Sequence, residues 1–61
     1  MPYVNIRVAG TLTTAQKATI SKGVTEVISQ AAGKPPESVL IFIDEATRDN
    51  VAKAGKLLSQ S

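Results

Sequence analysis

The sequence predicts an α+β subunit with the order strand, helix, strand, which completes its packing only as an oligomer. Three observations carry that prediction. The first residues alternate apolar and polar, a capped segment of helical period follows, and a short continuous apolar run comes after a double proline. A chain of 61 residues makes one domain, residues 1–61. Chains of this size bury only about 60% of their unfolded surface and are marginal without a staple or a partner. Cysteine and histidine are both absent, which removes disulfides, the usual zinc ligands, thiol nucleophiles and histidine acid-base chemistry. Oligomerisation is the staple that remains.

The first strand is read at residues 2–8. Pro2, Val4, Ile6 and Val8 fall on one face, and Tyr3, Asn5 and Arg7 on the other, the two-residue period of a half-buried strand. Ala9 to Leu12 forms a turn. Thr13-Thr14-Ala15-Gln16 matches a capping box, so a helix begins there and runs from about 14 to 32. Ile20, Val24, Val27, Ile28 and Ala31 recur as one apolar stripe, which is expected to pack on a sheet. Gly33 stands where a C-terminal cap belongs, and Pro35-Pro36 forbids continuation.

Val39 to Ile43 is apolar throughout, between Ser38 and Asp44, the pattern of a strand covered on both faces. Strand, helix, strand implies a right-handed parallel crossover. Two strands and one helix cannot cover the second strand on both sides, so another copy must meet it. The tail opens with a polar loop, residues 44–50, and continues through Val51, Ala54, Leu57 and Leu58. It is too short for a core of its own and too apolar to hang free, and is expected to pack on a neighbouring subunit.

No run reaches the roughly 18 apolar residues of a membrane span, and no segment reads as a signal peptide. A soluble cytoplasmic protein is the expectation. The seven basic residues are scattered and leave a net charge of +2, with only Tyr3 and Phe42 as aromatics. A stacking platform for bases is therefore missing, and nucleic-acid binding is not expected.

Pro2 is the chief candidate for chemistry. Removal of Met1 would make it a free secondary amine at the rigid start of a strand. An α-amino group titrates at roughly pH 8, and loss of water or a nearby cation lowers that value. Such an amine can act as a general base. A proline can also simply begin a strand, where its missing N–H costs nothing.

In the order of its features the whole chain resembles the 4-oxalocrotonate tautomerase family. The resemblance runs through Met-Pro-Tyr-Val-Asn-Ile-Arg-Val, Gln16-Lys17, Gly33-Lys34-Pro35-Pro36-Glu37-Ser38-Val39, Ile43-Asp44-Glu45, Asp49-Asn50 and Gly55-Lys56-Leu57-Leu58. It implies a β-α-β subunit that pairs into a four-stranded sheet with two helices on one face, the dimers assembling as a hexamer. It also implies keto-enol or enol-enone isomerisation of a small 2-oxo or 2-hydroxy acid, with Pro2 carrying the proton and no cofactor or metal.

The departures from that family bear on substrate. Its best-known members hold a dicarboxylate with two arginines, whose places fall here on Leu12 and Leu40. Leucine neither pairs with a carboxylate nor stabilises developing negative charge. An aromatic residue that lines the family's pocket falls on Val51, and its glycine-rich turn reads Ala52-Lys53-Ala54-Gly55, so the C-terminal hairpin is expected to be altered or partly helical. Arg48, close to Asn50 and Val51, is the leading substitute anion binder. Arg7 lies on the strand face opposite Pro2 and would reach a pocket only across a subunit boundary; a solvated or interface charge is its other reading. Tyr3 and Asn5 share its face and can donate hydrogen bonds. The alternative to an enzyme is a non-catalytic, structural subunit of the same fold that has lost the arginines. A third reading, the same amine adding water to unsaturated or halogenated acids, finds no extra acid-base partners in the chain.

Overall fold

A computed structural model describes residues 1–60. Strand β1 spans Tyr3–Ala9, helix α1 Thr14–Ala32 and strand β2 Leu40–Ala46; a short hairpin follows, β3 at Ala52–Lys53 and β4 at Lys56–Leu57. Single 3₁₀ turns occupy Pro36–Ser38, Arg48–Asn50 and Leu58–Gln60. Strands β1 and β2 are parallel, with Tyr3 opposite Leu40, Arg7 opposite Asp44 and Ala9 opposite Ala46. The ladder extends at both ends: the Leu40 N–H donates to the Pro2 carbonyl at 2.9 Å, and the Gly10 N–H to the Ala46 carbonyl at 2.7 Å.

Helix α1 begins where its capping box dictates. Thr13 Oγ1 accepts from the Gln16 N–H at 3.1 Å, and Gln16 Oε1 accepts from the Thr13 N–H at 2.9 Å. It ends at Gly33, whose φ of 66° lies in the left-handed region, a conformation open to glycine without the penalty a Cβ brings. The half-buried helical positions include Lys17, Ile20, Val24 and Ile28. The expected apolar stripe therefore divides. Val27 is 64% exposed and Ala31 is also exposed, because the sheet beneath is only two strands wide.

Strand β2 differs from expectation in two respects. It runs to Ala46 instead of stopping at Ile43, because Asp44 and Glu45, read as the start of a polar loop, both find partners: Asp44 meets Arg7 across the ladder, and Glu45 meets the Leu12 N–H and Lys17 beside it. Its faces also alternate: Ile41 and Ile43 are half-buried, whereas Leu40 and Phe42 are 43% and 50% exposed. Coverage on both faces does not exist within one subunit. The tail keeps its hairpin, with Ala52 opposite Leu57 and Lys53 opposite Lys56. The connecting Ala54 and Gly55 have φ of 53° and 80°, the two positive values that a two-residue hairpin turn of the favoured twist requires.

Among the described residues none is fully buried. The accessible surface is 4642 Å², against about 3800 Å² for a compact chain of this size. The excess is close to the roughly 800 Å² that one partner gives up in a standard interface. The radius of gyration is 14.6 Å, against about 10.5 Å for a compact domain of equal length. As a single chain the subunit is flat, with principal extents of 43 × 24 × 13 Å.

Candidate functional site

The parallel pairing sorts the candidate residues into two groups. At the N-terminal end of the strand pair stand Pro2, Tyr3 and Leu40. Pro2 is half-buried and pinned through its carbonyl to Leu40, and the Tyr3 and Phe42 rings meet edge to face at 6.2 Å on the outer face. With Met1 attached, the Pro2 nitrogen is a tertiary amide without basicity.

Arg7, Leu12, Arg48 and Val51 gather at the opposite end. Pro2 and Arg7 are five residues apart along an extended strand, which separates their backbones by about 16 Å. One subunit therefore does not bring the proline and these residues together. The turn from Arg48 to Asn50 lays Asn50, Val51 and Ala52 over the ends of β1 and β2. With Arg7, Asp44 and Glu45 they line a cavity of about 610 Å³. Arg48 does not line it, and Leu12 lines a separate apolar groove of about 360 Å³ with Ala15, Gln16, Thr19 and Ile20.

Register explains the charge arrangement. Arg7 faces Asp44 across the ladder, and its Nη2 approaches Asp44 Oδ2 at 3.5 Å. The side chains are 72% and 53% exposed, so the pair contributes about 0.2–1 kcal/mol. Glu45 is held more closely. Its Oε2 accepts from the Leu12 N–H at 2.7 Å and its Oε1 from Lys17 Nζ at 2.8 Å. The Lys17 hydrogen bond, followed by the Leu12 N–H, holds the Glu45 carboxyl below its ordinary pKa. Glu45 thereby ties the end of β2 to the turn carrying Leu12 and to the first turns of α1. Nothing in the strand reading had singled it out, although a carboxylate beside an apolar run and a lysine early in the helix were the available signals.

Among the described residues no cluster of three or more histidine, cysteine or acidic side chains is placed to hold a metal ion, and no helix is long and apolar enough to cross a membrane.

A proline-led strand, a capped helix and a second, parallel strand, closed by a short hairpin, define a class of small β-α-β proteins. Within that class the chain belongs to the tautomerase family, since the model of that family, described as tautomerase enzyme, matches residues 2–61. The 2-hydroxymuconate tautomerase of Bacillus subtilis is 37% identical over 59 residues, covering 97% of this chain and 95% of its own. The crystal structure of YwhB, a homologue of 4-oxalocrotonate tautomerase, matches with a TM-score of 0.93 at 35% identity over 98% of each chain. A heterohexameric 4-oxalocrotonate tautomerase from Chloroflexus aurantiacus matches with a TM-score of 0.90 at 20% identity, covering 98% of this chain and 97% of its own; at that identity it speaks for the fold alone.

Proposed function

We propose that the protein is a cofactor-independent tautomerase in which the amine of Pro2, freed by removal of Met1, is the general base. The nitrogen lone pair takes a proton from the hydroxyl or a carbon of a small 2-hydroxy or 2-oxo acid. The same nitrogen returns it to another carbon, so the double bond moves and no group is lost or gained. The observation that carries this reading is the anchoring of Pro2. Its carbonyl is bound to the Leu40 N–H, which fixes the ring at the strand start, and a fixed base meets its substrate without losing further freedom.

Two copies at least must build each site. Leu40 accompanies the proline, while Arg7, Leu12, Arg48 and Val51 approach from the far end of a neighbouring subunit. A homo-oligomer, most simply a hexamer of three dimers, supplies that geometry. The exposed Leu40, Phe42 and Val27 are the surfaces that association would cover.

The test follows enol loss by ultraviolet absorbance with phenylenolpyruvate and 2-hydroxymuconate, on protein whose intact mass shows Met1 removed. Turnover is expected to vanish in Pro2→Ala and in protein that retains Met1. Equal rates in all three preparations would remove Pro2 from the chemistry and favour a structural subunit.

A further inference from the structure

We infer that the cavity at the C-terminal ends of β1 and β2 is a monocarboxylate site anchored by Arg7, which selects acids with one carboxylate and an apolar remainder. The inference deepens the tautomerase reading and rests on it for the reaction, but not for binding.

Three observations support it. Arg7 is the cation lining this cavity, and its guanidinium spends one long, exposed contact on Asp44. A guanidinium carries five N–H donors in a planar fork, so it has capacity for a carboxylate held by two parallel bonds. Asn50 lines the same cavity, and among the described residues its side-chain amide forms no hydrogen bond, which leaves two donors for the same anion or for a neighbouring oxo group.

The second observation is the shortage of further positive charge. Among the described residues Arg7 is the sole cation in the lining; Lys17 is committed to Glu45 at 2.8 Å, and Arg48 lies outside the lining. A second carboxylate would meet Asp44 and Glu45 with no cation of its own, and an unpaired anion near like charges is disfavoured. The third observation is the rest of the wall. Ala46, Val51 and Ala52 are apolar and offer contact to a hydrocarbon tail. Asp44 also competes with the ligand for Arg7, which tempers affinity.

Calorimetric titration of the assembled protein with 3-phenylpropanoate and with adipate tests this without turnover. The monocarboxylate is expected to bind more tightly than the dicarboxylate. Arg7→Leu should weaken 3-phenylpropanoate by about tenfold or more, as loss of a charge-assisted hydrogen bond does, and Arg7→Lys should fall between the two. Asp44→Asn should tighten it severalfold by removing the competitor. Tighter binding of adipate, or unchanged binding in Arg7→Leu of unaltered mass, overturns the inference. If Arg7→Leu fails to assemble, unchanged affinity in both Arg7→Lys and Asp44→Asn overturns it. The expected ranking without enol loss from phenylenolpyruvate supports this site while removing the proline chemistry.

Discussion

Glu45 shows how a single side chain can set the geometry of a turn. Its carboxylate receives the Leu12 N–H and the Lys17 ammonium, and both favour the ionised form, so the native pKa lies below the ordinary 4.5. The unfolded chain then binds the proton more readily than the native one. The stabilisation is full above about pH 5 and is lost as pH falls through the native pKa. Glu45→Gln should therefore melt below the parent at pH 7, and the gap should close as pH drops below 4.5. A gap that stays constant to pH 3 would assign the loss to shape instead of charge. The same residue shows what sequence alone withholds. Asp44 and Glu45 read as a loop because they are charged, yet they extend β2, since Arg7 stands opposite one and Lys17 within reach of the other. Partners that make a charge acceptable in a strand are set by register and crossover, neither of which a local pattern contains. Arg48 stood out by position in the chain, whereas Arg7 lines the cavity because the 3₁₀ turn at Arg48–Asn50 folds Asn50 and Val51 over the strand ends.

At the scale of elements, local chemistry was far more legible. Helix α1 covers Thr14–Ala32, the span predicted, because both ends are written in side chains: a reciprocal capping box and a glycine that accepts the left-handed turn. Thr13→Ala is expected to lower stability by about 1 kcal/mol in urea titrations at fixed protein concentration, with Thr13→Ser close to the parent. An unchanged midpoint in the alanine variant would mean that packing holds the helix start without its cap. The hairpin was less readable. Ala54 occupies a left-handed position where glycine or asparagine is the usual signal, and such a residue costs roughly 1–2 kcal/mol. Pairing of β3 with β4 and the bond from the Leu58 N–H to the Val51 carbonyl, 2.9 Å, offset that cost.

At the scale of the molecule, length and pattern lead to the expectation of partners, and the single chain leaves a large surface for them to cover. No described residue is fully buried, and the outer face presents Tyr3 at 70% and Phe42 at 50% exposure. In the proposed assembly folding and association are one process, so the melting temperature is expected to rise with protein concentration. Phe42→Glu, which places a charge on that face, should reduce the mass seen by sedimentation equilibrium and abolish this dependence. Unaltered mass would place the subunit contact on another surface, such as the apolar groove of α1 between Thr19 and Ile28.

The two-stranded sheet has a further consequence in the time before assembly. Among the described residues of one subunit, β1 and β2 pair only with each other, so each presents an outer edge of amides and carbonyls to any extended chain. Such edges template fibrillar aggregation. Arg7, Asp44 and Glu45 act as gatekeepers, because stacking identical strands in register would bring like charges together. In the proposed assembly these edges stay open until a subunit meets its partner, so local concentration sets how long the exposure lasts.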